Sequence, residues 1–266
     1  MSKLSAYEKL LLIRNKDRPI AKDYIEEIFD EFTEMHGDRL FGDDNAIITG
    51  IGRLNNRPVT VIAETRGHNL NDNKRTNFGM PHPEGYRKAL RAAKQAEKFH
   101  RPVICFIDTP GAFCGIDAEN RGQGEAIAKN IAEFMTLKTP VVSVVIGEGG
   151  SGGALALGVC DVLLMLENSL YSVISPRGFA SILWKDPSKE KEACEILKIT
   201  AEDMLNFGIS DGIIPEVPMG IDLYAISENI KETLTEKINE ISEKPIDELL
   251  NSRYTKFRSI GSFEFN

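Results

Sequence analysis

Five glycines follow a short apolar run in the middle of the chain. The run at 141–146 predicts a buried strand, and glycines occupy positions 147, 149, 150, 152 and 153, where a helix of small residues is expected over 152–159. Glycine lets a ligand approach the backbone closely, and the first amides of a helix carry a partial positive charge. The stretch therefore predicts a site for an anion or an oxyanion.

Two familiar glycine motifs also match this stretch. The pattern Gly147-x-Gly149-x-x-Gly152 resembles a dinucleotide fingerprint, but that motif belongs in the first strand-to-helix turn of its fold, and here it falls mid-chain. The pattern around Ser151 resembles a nucleophile elbow, but the four histidines, at 36, 68, 82 and 100, all precede it, whereas the elbow has its histidine later. A tight, closely packed turn without a ligand is the remaining alternative, and five glycines in seven positions favour a ligand.

Two other expected strand ends carry turn residues. Asp108 begins a glycine-containing loop, where its carboxylate is either a general base or a structural turn residue, and Ser175-Pro176 forms a third corner. Ligands of an open α/β sheet bind outside the carboxyl ends of its strands, so these corners are expected to face one site. The residues expected to line it are Gly111, Ala112, Phe113, Gly149, Gly150, Ser151, Ser175 and Pro176.

Basic side chains are frequent in and after a polar segment, 66–83, which has no periodicity and predicts a long loop. Arg66, Lys74 and Arg75 lie in this segment, and Arg87 and Arg91 lie on the polar face of the helix that follows. The five residues predict either an anion-binding patch or a solvated surface.

The elements that position these residues alternate along the chain. A helix is expected at 21–35, a hairpin of strands at 46–54 and 58–64, and further strands at 103–107, 162–166 and 171–174. With helices between them, the order ββα, βα, βα, ββα predicts an α/β fold. We expect a single domain, 1–266, made of a helical lead-in (1–45), the ββα core (46–185) and a mainly helical C-terminal part (186–266), with helices at 190–197, 201–207, about 221–241 and 245–258.

Composition excludes several classes of protein. The formal net charge of −8 argues against a nucleic-acid-binding protein, which needs a basic face. The cysteines, at 105, 114, 160 and 194, form no Cys-x-x-Cys pair, so we expect reduced thiols and no metal on this chain. No apolar run approaches the length of a signal peptide core or a membrane span, which predicts a cytoplasmic protein without membrane contact.

Several blocks, in order along the chain, resemble one known family. They are Phe78-Gly79-Met80-Pro81, the run 83–90, the Asp108 loop with Arg121-Gly122-Gln123, the glycines from 147 to 153, the run 171–176 and the run 181–185. Together they resemble the alpha subunit of the carboxyltransferase component of bacterial acetyl-CoA carboxylase, over about Tyr24 to Arg258. A collinear series of blocks is far more specific than either glycine motif alone.

The resemblance implies a crotonase-like fold of repeated ββα units. It implies transfer of a carboxyl group from carboxybiotin on a biotin carboxyl carrier protein to acetyl-CoA, giving malonyl-CoA for fatty acid synthesis. It further implies an α2β2 assembly with a beta subunit that alone carries zinc, association with biotin carboxylase, and an active site between alpha and beta. In such a site the amides of Gly152 and Gly153 would form an oxyanion hole facing biotin, which this chain does not bind tightly. Separately, we expect the five basic residues to form part of a surface that contacts a phosphate or the carrier.

The sequence departs from the family pattern at a few positions. Arg177 stands where an acidic residue is expected, Phe113-Cys114 replaces Tyr-Pro, and the N-terminus is shorter than in many members. These changes affect expected contacts with biotin or a partner but leave the glycines intact. Two alternatives remain open: a self-sufficient crotonase-type acyl-CoA hydratase or decarboxylase, and a noncatalytic scaffold for the beta chain.

Overall fold

The computed structural model describes residues 4–216 and 220–261. Its helices are α1 (Ala6–Ile13), α2 (Ala21–Ile28), α3 (Leu70–Arg75), α4 (Pro83–Lys98), α5 (Ile116–Asn120), α6 (Gln123–Met135), α7 (Ser151–Gly158), α8 (Pro176–Trp184), α9 (Glu190–Leu197), α10 (Ala201–Asn206), α11 (Leu223–Ser242) and α12 (Ile246–Ser259). Its strands are β1 (Asp30–Glu34), β2 (Ile47–Leu54), β3 (Arg57–Glu64), β4 (Val103–Thr109), β5 (Val141–Gly150), β6 (Val162–Leu166), β7 (Leu170–Ser172) and β8 (Gly212–Ile214).

The described strands form one sheet in the order β1-β2-β3-β4-β5-β6-β8, with β7 paired to the end of β5. The strands β2 and β3 form the expected antiparallel hairpin, and β1 adds to it antiparallel to β2. The strands β3 to β6 and β8 run parallel. Parallel strands need crossover helices, and α4, α6 and α7 provide them. The carboxyl ends of β3, β4 and β5 therefore meet at one edge.

Helices cover both faces of the sheet, so its central strands are buried on both sides. One apolar cluster joins α2 and α11 to the sheet through residues such as Tyr24, Phe106 and Ile230. The other joins α4, α6 and α7 to the opposite face, through residues such as Tyr86, Phe134 and Leu157. The site loops emerge from the edge between these two layers.

The expected helix at 21–35 is wrong in its second half. The helix α2 ends at Ile28, and β1 follows as an edge strand antiparallel to β2. Phe29 and Phe32 lie at helical spacing, but both pack against β2, where Gly50 and Gly52 leave room for the two rings. Tertiary packing overrides the local pattern here.

Two other boundaries differ from the expectation. The strand β5 continues past Ile146 to Gly150, because it pairs with β4 through Thr109 and Gly149 and with β7 through Glu148 and Leu170. The segment 66–83 is not wholly irregular, because it contains α3, capped by Asn69, and a short 3₁₀ turn at Asn77–Gly79. The polar composition that predicts a loop also suits a capped, exposed helix.

The expected order ββα, βα, βα, ββα is confirmed within the described residues. The strand β8 lies in the part of the chain expected to be mainly helical and joins the sheet beside β6. The single domain over 1–266 stays a prediction, since residues 1–3, 217–219 and 262–266 lie outside the described part of the chain. No helix of the described part is both long and apolar enough to cross a membrane.

Candidate functional site

Two loops meet at the carboxyl edge of the sheet, one after β4 and one after β5. A Cβ atom added to Gly150 would lie 2.3 Å from the carbonyl oxygen of Pro110, and one added to Gly153 would lie 2.7 Å from the amide nitrogen of Ala112. The two backbones are therefore in direct contact. Gly111, with φ of +141°, gives the first loop a conformation that residues with a Cβ rarely adopt.

The helix α7 begins at this contact. Ser151 has φ of +53°, an uncommon left-handed conformation that turns the chain sharply from β5 into the helix. Gly150 is the N-cap, and no side chain in the described structure caps the first turn. The first amides of a helix have no intrahelical partner, so those of Gly152 and Gly153 remain available to an anion.

Most of the five glycines are required by packing. Added Cβ atoms would clash with Asp108 at Gly147, with the ring of Tyr171 at Gly149, and with backbone at Gly150 and Gly153. Gly152 differs, because its added Cβ would have only Ile127 Cγ2 nearby, at 3.7 Å. The tight-turn alternative thus explains four glycines and leaves Gly152 unexplained.

The first loop is held from both sides. The amide of Phe113 donates to the carbonyl oxygen of Pro81 at 3.0 Å, and Gln123 Nε2 donates to the carbonyl oxygens of Pro81 and Phe113, each at 2.8 Å. The rings of His82 and Phe113 pack against each other in a tilted arrangement, with centroids 4.6 Å apart. Ala112 is thereby fixed beside Gly153.

The third corner closes one side of the site. Ser175 caps α8 by accepting a hydrogen bond from the amide of Gly178 at 3.1 Å, and Pro176 is the first helical residue. Gly149, Gly150, Ser175 and Pro176 line one pocket together with Pro110. The expected residues of the three corners therefore lie around one edge.

Asp108 is a buried turn carboxylate. Its Oδ1 accepts from Arg66 Nη2 at 2.6 Å and from the amide of Glu148 at 3.0 Å. Burial raises the pKa of Asp108, against the opposing charge of Arg66 and the hydrogen bond from the Glu148 amide. Its oxygens serve the fold of the glycine turn, which favours the structural alternative over a general base.

Glu148 extends this network to the N-terminal helix. Arg14 donates to both of its carboxyl oxygens, at 2.9 and 3.0 Å. Burial would raise the pKa of Glu148, but the hydrogen bond from Arg14 and the charge of Arg66 hold it below its usual value. The sequence analysis did not identify Arg14 or Glu148 as residues of the site. The position of Glu148 between Gly147 and Gly149 was the one feature that could have indicated it.

The structure places the five basic residues in two regions. Arg66 and Arg75 line the same cavity, and Lys74 and Arg75 are exposed on α3. Arg87 donates to Asp38 at 2.8 Å, and Arg91 donates to the carbonyl oxygen of Gly37 at 3.0 Å, so both hold the loop before β2. A contact of these residues with a phosphate or a carrier stays a prediction.

Comparison with known proteins places this geometry in a family. Residues 1–261 match the family model described as acetyl co-enzyme A carboxylase carboxyltransferase-like. The chain belongs to this family. It is 60% identical over 257 residues to the acetyl-coenzyme A carboxylase carboxyl transferase subunit alpha of Clostridium perfringens, covering 96% of this chain and 95% of that protein.

Two further matches bear on architecture. A Clostridium tetani protein named as subunits beta/alpha is 54% identical over 265 residues, which are 99% of this chain but 46% of that longer protein. A Pseudomonas malonate decarboxylase hetero-tetramer in complex with coenzyme A has a chain that superposes with a TM-score of 0.65 at 17% identity, over 82% of this chain and 89% of that one. The crotonase-like fold is confirmed, as is the carboxyltransferase hypothesis over the hydratase, decarboxylase and scaffold alternatives.

Proposed function

We propose that this chain forms the biotin-facing half of an acetyl-CoA carboxylase carboxyltransferase. With a beta subunit in an α2β2 assembly, it takes part in moving a carboxyl group from carboxybiotin, held on a carrier protein beside biotin carboxylase, to acetyl-CoA in the cytoplasm. Malonyl-CoA is the product, and zinc belongs to the beta subunit. The proposed substrate-facing residues are Gly111, Ala112, Phe113, Gly149, Gly150, Ser151, Gly152, Gly153, Ser175 and Pro176.

The observation that carries the proposal is the open space at Gly152. Cβ atoms added to the other four glycines of the turn would clash with the protein, whereas one added to Gly152 would meet only one side-chain atom, at 3.7 Å. The ureido ring of biotin can approach backbone amides most closely where no Cβ lies beside them. The free space and the uncapped amides therefore fit the group.

When bound, carboxybiotin supplies the carboxyl group and, after its release, the base for the methyl proton of acetyl-CoA. The chain's own contribution is electrostatic. The amides of Gly152 and Gly153 donate hydrogen bonds to the ureido oxygen as negative charge develops there, and the rigid turn holds them in place beforehand. Removing one such donor typically costs about 100- to 1,000-fold in rate.

Exposed apolar side chains beside the site support a pocket completed by a partner. Ile116, after the first loop, is 80% exposed, and Val173, before α8, is 83% exposed. Ile182 and Leu183 on α8 are also exposed. Exposed apolar residues of this kind, following two of the site loops, are consistent with a protein–protein contact.

The test is Gly152→Ala in the reconstituted alpha–beta complex. The protein has room for this methyl group, so we expect assembly and melting temperature to be retained while malonyl-CoA formation falls at least tenfold, because the methyl group occupies the space of the ligand. Gly124→Ala is the matched control, since this glycine in the first turn of α6 is exposed and has nothing within 4 Å of its added Cβ. A Gly152→Ala enzyme as fast as the control would refute the proposal.

A further inference from the structure

A layer of buried polar groups lies directly behind the glycine turn. Tyr86, on α4, is fully buried, and its hydroxyl has no hydrogen-bond partner in the described structure. A Cβ added to Gly153 would lie 2.9 Å from this hydroxyl and 2.7 Å from the amide nitrogen of Ala112. The Tyr86 hydroxyl therefore lies next to the contact between the loop after β4 and the loop after β5, on the side that faces the protein core.

Glu64 is the second member of this layer. It ends β3 beside β4, is fully buried, and neither of its carboxyl oxygens has a hydrogen-bond partner among the described residues. Burial raises the pKa of Glu64 well above its usual value, and the charge of Asp108 acts in the same direction. Glu64 and Ile62 point to the same face of β3, and Ile62 belongs to the apolar cluster that contains Tyr86. The pKa of Tyr86 is raised by burial and then by the charge of Glu64.

A protonated carboxyl group can both donate and accept a hydrogen bond, and so can a tyrosine hydroxyl. Buried groups of this kind are commonly satisfied by an internal water with two to four polar partners. Mechanistically, such a unit would fix the loop junction from behind, as the groups supporting a catalytic residue do in other sites.

We propose that Glu64 and Tyr86, joined by an internal water, form a positioning unit that holds the amides of Gly153 and Ala112 toward the ligand. The inference rests on the proposed function, because it assigns these amides to the developing anion. Tyr86 and Glu64 act through the amides and touch no substrate atom.

The unit has a consequence for pH dependence. Ionised Glu64 would place a negative charge behind amides that must stabilise a negative oxygen, so activity is expected to fall as Glu64 loses its proton. The titratable groups around Glu64 and Tyr86 are Asp108 and Cys105 on β4, Tyr171 on β7 and Asp44 before β2. Glutamine keeps the size, a donor and an acceptor, but cannot ionise.

The free energy of unfolding should also depend on the ionisation of Glu64. Because the pKa of Glu64 is higher in the folded protein than in the unfolded one, the folded protein binds one more proton at pH values between the two. The free energy of unfolding therefore falls as pH rises through that range. Glu64→Gln should remove this decline. The sign is opposite to that of a salt-bridged carboxylate, whose stability is lost on acidification.

The experiment uses the reconstituted alpha–beta complex with Tyr86→Phe, Glu64→Gln and the control Tyr24→Phe. Tyr24 is also a fully buried tyrosine with an unpartnered hydroxyl, but it belongs to the apolar cluster on the other face of the sheet. We expect Tyr86→Phe to lower kcat about tenfold, less than loss of an oxyanion donor itself, with the KM for acetyl-CoA unchanged. Tyr24→Phe should leave both constants unchanged.

For Glu64→Gln we expect wild-type kcat near neutral pH and a weaker alkaline decline, measured from about pH 6 to 9. Unchanged kcat in Tyr86→Phe, or a wild-type alkaline decline in Glu64→Gln, would overturn the positioning unit. The glutamine variant decides the matter alone if Tyr86→Phe fails to fold. If Gly152→Ala loses rate but Tyr86→Phe and Glu64→Gln do not show the effects described, only this inference is refuted. A fully active Gly152→Ala enzyme would refute the proposed function itself.

Discussion

Two sets of buried polar groups, at opposite ends of the same sheet, differ in their hydrogen bonding. At the amino ends of β5 and β6, Arg253 of α12 is buried and its guanidinium makes five hydrogen bonds, to both carboxyl oxygens of Asp161 and to three backbone carbonyls. At the carboxyl ends, Glu64 and Tyr86 are equally buried and have no partner among the described residues.

The two arrangements have different consequences for ligand binding. A buried charge whose donors are all used fixes the helix that carries it, and nothing remains for a ligand. Buried polar groups without partners retain their capacity for hydrogen bonds and destabilise the folded state, and such groups are common near functional sites. The network of Arg14, Glu148, Arg66 and Asp108 lies between these extremes, because it is paired but surrounds the glycine turn.

The largest expected effect is that of replacing Arg253, at the amino ends of β5 and β6. Arg253→Met leaves the Asp161 carboxylate and three backbone carbonyls without their donor, and removing one partner of a buried ion pair typically costs about 3 to 5 kcal/mol. We expect the free energy of unfolding in urea to fall by this amount. Arg258→Met, at an exposed position of the same helix, should change it by less than about 0.5 kcal/mol. Equal stability of the two variants would remove the contrast between the two ends.

A medium effect is expected at Gly150, two residues from the ligand-facing glycine. The added methyl group of Gly150→Ala would lie 2.3 Å from the carbonyl oxygen of Pro110, which belongs to the backbone and cannot rotate away. Overpacking of this kind costs about 1 to 3 kcal/mol, measured by thermal denaturation. Gly152→Ala should instead lose rate and keep stability, so a stable Gly150→Ala protein would show that the two loops are less tightly joined than described.

Much of this architecture could be predicted from the sequence. The apolar runs before the glycines and before Asp108 are buried on both faces, so they read as continuous hydrophobic stretches and their order predicts the parallel sheet. The three corners were identified because turns of this kind need glycine, proline or a capping serine.

Other features depend on contacts that no local pattern encodes. The strand β1 exists because Phe32 fits over Gly50, and the length of β5 depends on pairing with two other strands. The support behind the site was also missed, since Tyr86 has the spacing of an ordinary core residue and Glu64 is one acidic residue among many. Only the fold shows that both side chains are buried without a hydrogen-bond partner and that the Tyr86 hydroxyl lies behind Gly153.

The smallest expected effect tests the intermediate network. In Asp108→Asn the side-chain oxygen can still accept from Arg66 and from the Glu148 amide, but the charge facing Arg66 is lost. The Glu148 carboxylate, 3.6 Å from Arg66 Nη2, remains to balance it. We expect a stability loss of about 1 to 2 kcal/mol, typical of a weakened hydrogen bond to a charged group.

The rate measured on Asp108→Asn decides between its two possible roles. A turn carboxylate predicts a kcat within about tenfold of wild type and an unchanged pH profile, whereas loss of a general base typically costs about 100- to 10,000-fold. Because both hydrogen bonds of Asp108 Oδ1 point at the glycine turn and its Arg66 partner, we expect the smaller effect. A large loss of kcat with full stability would show that Asp108 takes part in the reaction. The catalytic site would then extend into the network of Arg14, Glu148, Arg66 and Asp108.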